Sequence, residues 1–392
     1  MNLFDVVLVL VAVGYAVSGF RQGFLVGALG VAGLIGGGVA GAAIAPVVLR
    51  SFNPSVTVSL AALAIVLVIA LLGQTFGATI GAALRDRVTW EPAHLLDATG
   101  GAALSVVAML VVAWILGSAV AGAQFGDVSR TVRTSKVLSV VNEIMPRSAE
   151  QALLAFSRVV DPSIFPRYLE PFAPEQIAPA RPPTTAVIND RDVVAAGHSV
   201  VRVTGVAMSC SRSLEGSGFV YDRGRVMTNA HVVAGVKEPR VQTANGRSYD
   251  AEVVLYDPER DVAILAVPDL DLRPLTLDDG AGPGDEGAVL GYPGNGPFTA
   301  APARVRAEQR LQGPDIYGGR QVVRNVFSLY AQVRPGNSGG PLISSTGTVT
   351  GLVFAASVED NRTGYALTVE EVQSDAREGA GASGAVSTGG CA

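Results

Sequence analysis

Four apolar stretches occupy the first third of this 392-residue chain, at residues 3–20, 24–49, 57–83 and 99–123. A bilayer core offers no water to backbone N–H and C=O groups, so a spanning segment must satisfy them internally. Roughly 18–20 apolar residues do so as one helix. The first stretch begins Met1-Asn2-Leu3-Phe4-Asp5, with no basic start and no cleavage site, so it reads as a retained span rather than a signal peptide. Only 16% of the residues are charged, and the apolar excess sits here rather than being spread evenly. Gly33, Gly37 and Gly41 recur every four residues in the second stretch, and Gly73, Gly77 and Gly81 in the third. Small residues at that spacing line one helix face and let backbones approach closely, which favours tight bundle packing over a pore. Arg21, Arg85 and Arg87 flank the spans on one side and Arg50 alone on the other. The positive-inside rule then puts both chain ends outside the cytoplasm, although Arg130, Arg133 and Lys136 in the tail count against it.

Composition divides the chain into a membrane region over residues 1–125, a connector over 126–185 and a further domain over 186–392. In the connector, Val137–Val141 and Ala152–Phe156 read as short amphipathic helices. Prolines 171, 174, 179, 182 and 183 predict an extended linker rather than a packed element, and hence two separately folded parts. From about residue 190 short β-rich segments alternate with turns, among them Ser199–Val203, Gly218–Tyr221, Val226–Asn229, Arg240–Thr243, Val289–Gly291 and Val349–Phe354. That texture predicts an all-β barrel or sandwich.

Three motifs in this domain carry chemistry. Arg334-Pro335-Gly336-Asn337-Ser338-Gly339-Gly340-Pro341 can hold Ser338 on a tight turn and aim the N–H groups of Gly336 and Ser338 at one point. Upstream lie Thr228-Asn229-Ala230-His231-Val232-Val233 and Asp261-Val262-Ala263-Ile264-Leu265. A hydroxyl nucleophile needs a base, and an imidazole needs a carboxylate to set its tautomer. His231, Asp261 and Ser338 supply those roles in the chain order His, Asp, Ser.

These three motifs resemble the active-site motifs of trypsin/chymotrypsin-like serine proteases, in the bacterial variety that includes the HtrA group. The resemblance covers about residues 190–392. It implies two six-stranded barrels with the site in the crevice between them, His231 and Asp261 from the first and Ser338 from the second. Only about 50 residues follow Ser338, too few for the PDZ domain of HtrA proteins. Gln332 stands where trypsins place an aspartate, which points to a neutral or apolar substrate preference. The segment Gly351–Ser357 resembles the strand that pairs with substrate backbone.

The early Asp5 and the sequence Gly19-Phe20-Arg21-Gln22-Gly23 resemble the CvpA-like (colicin V production) membrane family. Together the two halves resemble the actinobacterial membrane-anchored serine proteases associated with acid resistance. The resemblance implies a four-span anchor and an extracytoplasmic, periplasm-side endopeptidase acting on cell-envelope proteins without a cofactor. An inactive protease-fold scaffold and a transport component remain the alternatives. A histidine base must be neutral, so the rate should fall as pH drops below its pKa. The net charge of −5 leaves no basic footprint for nucleic acid.

Cys210 and Cys391 are the two cysteines. Both fall on the side expected to be oxidising, where a disulfide between them would persist, the alternative being two free thiols. Such a bridge would also tie down the Gly/Ala/Ser-rich stretch 379–390, whose composition otherwise reads as disordered.

Overall fold

The computed structural model describes residues 2–49, 56–121, 127–146, 149, 175–210 and 212–391. Contacts divide the chain into two units, Met1–Gly117 with Ser135–Glu143, and Ser118–Thr134 with Ile144–Ala392.

The first unit holds helices α1 (Leu3–Gln22), α2 (Phe24–Leu49), α3 (Val56–Arg85) and α4 (Glu91–Ala121). All four are long and apolar enough to cross a membrane. The glycine ladders do pack α2 on α3: a carbon added at Gly33 would lie 2.7 Å from the Gly73 carbonyl carbon, and one at Gly37 would lie 2.9 Å from Ala70 Cα. Arg85 Nε pairs with Asp97 Oδ2 at 2.8 Å, and Arg85 Nη1 donates to the carbonyls of Arg21 and Gln22 at 2.6 Å. Leu25 N–H donates to Asp97 Oδ1 at 2.9 Å, so the α1–α2 corner is stitched to α3 and α4. Asp5 closes a capping box with Asn2. Its carboxylate also accepts from Ser135 Oγ at 2.6 Å and from the N–H groups of Lys136 and Val137, which open a short helix (Lys136–Ile144). One buried carboxylate thus serves two helix starts.

The connector is not a single spacer. The helix Lys136–Ile144, α6, counts with the membrane unit up to Glu143, whereas helix α5 (Asp127–Arg133) counts with the other. Arg133 Nε donates to Glu359, a buried carboxylate in the loop between the strands ending at Ala356 and starting at Thr363, at 3.1 Å. The proline-rich stretch is extended as expected from residue 175 on, yet it is packed. Glu175 accepts from Val358 N–H at 3.0 Å and from Tyr365 OH at 2.8 Å, Arg306 donates to Ala178 O, and Thr184 bonds Glu286 through both N–H and hydroxyl. Proline removes backbone donors but leaves carbonyls and neighbouring side chains free to bond, so composition alone read this strip as unpacked. Ala152–Phe156, Pro171 and Pro174 lie outside the described residues.

Helix α7 (Arg191–Gly197) leads into two antiparallel sheets. The first contains β1 (Val200–Ala207), β2 (Arg212–Asp222), β3 (Arg225–Thr228), β4 (Arg240–Gln242), β5 (Ser248–Asp250), β6 (Glu252–Asp257) and β7 (Val262–Ala266), in the order β5-β4-β1-β2-β3-β7-β6. β5 and β6 form one stretch bent at Ala251 that pairs with β4 at one end and with β7 at the other, so the sheet curls back on itself as the expected six-stranded barrel does, its bent strand counted as two. The second sheet contains β8 (Glu286–Gly291), β9 (Thr299–Pro314), β10 (Gln321–Tyr330), β11 (Pro341–Ser344), β12 (Val349–Ala356) and β13 (Thr363–Thr368), closed as β10-β13-β12-β11-β8-β9. All six expected β-rich segments fall on strands. A shared core joins Phe219, Met227 and Ile264 of the first sheet to Leu290, Ile343 and Leu352 of the second. Helix α8 (Val369–Gly381) seals it with Val372 and Ala376.

Candidate active site

His231 follows β3 at the start of a short 3-10 turn, and Asp261 precedes β7, the neighbour of β3. Pairing of Thr228 with Ala263 brings the two motifs side by side. Asp261 then holds His231 twice: Oδ2 lies 2.8 Å from Nδ1, and Oδ1 accepts the His231 backbone N–H at 2.9 Å. The carboxylate is fully buried and the imidazole is nearly so. A buried carboxylate at Nδ1 leaves Nε2 as the nitrogen able to take a proton.

Asp261 has φ +66°, a left-handed conformation that is uncommon for a residue with a side chain. Neighbouring bonds over-determine it. Asn229 Nδ2 donates to the Asp261 carbonyl at 2.8 Å. Arg324, fully buried on β10, donates through Nε to the Glu259 carbonyl at 2.8 Å, and Asp257 accepts the N–H groups of Glu259 and Arg260. The loop carrying Asp261 is therefore gripped from both sheets.

Ser338 sits on the turn before β11, and four consecutive carbonyls around it are occupied. Pro335 O accepts from Gly294 N–H at 2.7 Å, and Gly336 O from Ser217 Oγ at 2.6 Å. Asn337 O accepts from Gly340 N–H at 2.9 Å, and Ser338 O from Ser217 N–H at 2.8 Å. In a trans peptide the C=O and N–H point opposite ways. Fixing the carbonyls of Pro335 and Asn337 thus aims the N–H groups of Gly336 and Ser338, and among the described residues neither donates to a protein acceptor. Gly336 has φ +93°, and a carbon added there would meet Gly294 N at 2.9 Å and Pro293 Cα at 3.2 Å. The position admits only glycine for both reasons.

His231 and Asp261 are joined directly, and Gly216 links them to the serine turn: a carbon added there would touch Val232 Cγ1 at 2.8 Å and Ser338 O at 2.9 Å. Ser338 Oγ is buried with no hydrogen-bond partner among the described residues, so the serine–histidine bond is not closed here. Catalytic hydrogen bonds are often open without substrate. Gln332 is exposed and accepts from Arg334 Nη2 at 2.9 Å, rather than standing at the base of an enclosed pocket. Sequence reasoning gave no role to Asn229 or Ser217. The first lay inside the histidine motif, and the glycines flanking the second were the available sign of close backbone approach.

Cys210 and Cys391 form a disulfide across 181 residues. Around it the terminal segment is docked: Gly235 N–H donates to Thr388 O, Val386 N–H to Val253 O, and Thr388 Oγ1 to Val236 O. The composition of residues 379–390 suggested disorder, but helix α8 and these bonds order it.

Residues 216–352 match the family described as Trypsin-like peptidase domain, and residues 4–146 match Colicin V production protein. The chain is 41% identical to Serine protease Rv3671c of Mycobacterium tuberculosis over 392 residues, covering 99% of this chain and 98% of that protein. It is 32% identical to Protease Do-like 1, chloroplastic, of Arabidopsis thaliana over 165 residues, 40% of this chain and 37% of that one. The crystal structure of the active form of the Rv3671c protease from M. tuberculosis superposes with a TM-score of 0.54 at 47% identity, covering 57% of this chain and 98% of that one.

Proposed function

The chain belongs to the trypsin-like serine proteases that carry an N-terminal colicin V production region, and from that premise we propose that it is a membrane-tethered endopeptidase cleaving proteins of the cell envelope. Ser338 Oγ attacks the scissile carbonyl carbon while His231 Nε2 takes its proton. The C–N bond then breaks, and His231 returns that proton to the leaving amine. Water, deprotonated by His231, hydrolyses the acyl-enzyme in the second half. Asp261 orients His231 and stabilises its cationic form. The Gly336 and Ser338 N–H groups receive the oxyanion.

The observation that carries this reading is the pairing of a buried His231–Asp261 clasp with a serine turn whose carbonyls are occupied and whose Gly336 and Ser338 N–H groups have no protein acceptor among the described residues. Among the described residues, the β11 side of β12 carries no strand beyond Val353, which supports substrate backbone pairing along Ala355 and Ala356. The basic residues flanking the spans favour a protease domain outside the cytoplasmic membrane, and a role in envelope or acid tolerance rests on the resemblance to acid-resistance proteases.

A fluorophosphonate probe applied to the full-length chain tests the mechanism. Labelling is expected in the wild type and absent in Ser338→Ala. A folded wild type that takes no label would favour the scaffold reading. Reporter fusions at each end test the orientation, and growth in acid medium with Ser338→Ala as the only copy tests the stress role.

A further inference from the structure

We infer that Ser217 is a positioning residue for the oxyanion-binding turn, acting from the first sheet on a turn that belongs to the second barrel. The inference rests on the protease reading given above.

Ser217 is fully buried in β2, and its N–H and hydroxyl go to the seam between the sheets. Its N–H donates to Ser338 O at 2.8 Å. Its Oγ donates to Gly336 O at 2.6 Å and accepts the Tyr292 N–H at 2.9 Å. Its carbonyl accepts Thr228 Oγ1 at 2.7 Å, from the strand leading to His231. Because Oγ already accepts from Tyr292, its single proton is committed to Gly336 O.

That commitment matters because of what Gly336 is. Glycine at φ +93° has no side chain to hold its two peptide planes. The plane before it is held by Gly294 N–H on Pro335 O, and the plane after it by Ser217 Oγ on Gly336 O. The 336–337 plane, whose Asn337 N–H also donates to Arg334 O at 3.0 Å, joins the plane carrying the Gly336 N–H to the plane carrying the Ser338 N–H, so without the Ser217 bond it can tilt and let those two donors diverge. Ser217 holds the next alternate carbonyl as well, through a backbone bond that no side-chain change removes.

The surroundings are built for this one side chain. A carbon added at Gly291 would lie 2.6 Å from Ser217 Oγ, and one at Gly340 would lie 3.3 Å from Ser217 Cβ. Gly339 passes so close to the Ser217 carbonyl that a side chain there would collide with it. Glycines from both sheets let the backbones approach until one hydroxyl bridges them.

The test uses the full-length chain in detergent, with Ser217→Ala, which deletes one oxygen and keeps the backbone N–H. Turnover of a quenched fluorescent peptide is expected to fall roughly ten- to a hundredfold in kcat with KM within about twofold, below the loss for deleting an oxyanion donor outright. A peptidyl trifluoromethyl ketone adds Ser338 Oγ to its carbonyl and places an oxyanion in the turn, whereas the matching alcohol does not. The variant should weaken the ketone by a factor similar to its loss in kcat and leave the alcohol unchanged. Inhibition constants do not depend on the folded fraction, so partial misfolding leaves that comparison intact. Unchanged kcat, or equal weakening of both inhibitors, would overturn the inference while leaving the protease standing. A wild type without Ser338-dependent cleavage would overturn both.

Discussion

Asp261 occupies a backbone conformation that its side chain disfavours, and it does so to reach His231 with both carboxylate oxygens. Asn229 is the nearest restraint, because its amide holds the Asp261 carbonyl from inside the histidine motif. Asn229→Ala leaves that buried carbonyl without its donor, at roughly 1–3 kcal/mol of stability. It should also lower kcat about tenfold or more, with KM little changed, since a relaxed Asp261 orients the imidazole poorly. Full kcat in a variant that merely melts earlier would reduce Asn229 to a structural role. The three residues expected from the motifs were legible because each chemistry restricts the residue type. Asn229 and Ser217 were not, because an amide or hydroxyl acting on a distant carbonyl leaves no spacing in the chain to read.

At the scale of elements, helix α8 shows how a polar stretch is made to close the domain. Thr368 caps it by accepting the Glu371 N–H at 3.2 Å, and Arg225 of β3 donates to the carbonyls of Gly379 and Ala382 at its other end. Its inner face carries Asp375, buried beside Arg260, whose Nη1 lies 3.8 Å away. Burial first, and then the Asp257 carboxylate, push the Asp375 carboxyl up to about 7, against the opposing pull of Arg260, while Glu378 and Glu371 push it the same way. The native state therefore holds this proton more tightly than the unfolded chain, whose value is near 3.8. The resulting stabilisation is complete below the unfolded value and is lost as pH rises through about 7. Asp375→Asn should melt a few degrees above the wild type at pH 8, and the gap should shrink steadily as pH falls from about 7 toward the unfolded value near 3.8. Thermal scans across that range decide it; a gap independent of pH would mean that Asp375 is charged throughout. The helix itself was hidden in the sequence, since its apolar positions are few and its glycines and alanines suggest a loose tail. Its order comes from caps and partners on other strands.

For the whole molecule, the covalent restraint is the Cys210–Cys391 bridge, which ties the start of the protease domain to the chain end. For a closed loop of this length the chain-entropy model assigns roughly 4–5 kcal/mol, an upper figure. Cys391→Ser should lower the melting temperature of the second unit by on the order of ten degrees. It should also speed amide exchange at Val386, which otherwise pairs with Val253. Unchanged exchange there would show that the hydrogen bonds hold the end without the bridge. By itself, the sequence determined what local chemistry and periodicity can encode: four spans, glycine faces on α2 and α3, a strand-rich second half, and His231, Asp261 and Ser338 in order. Only the tertiary structure decided that the proline-rich strip lies packed on the second barrel and that Ser217 bridges the seam. Each of these depends on which distant carbonyl or strand edge comes within bonding reach, and no local pattern in a chain specifies that.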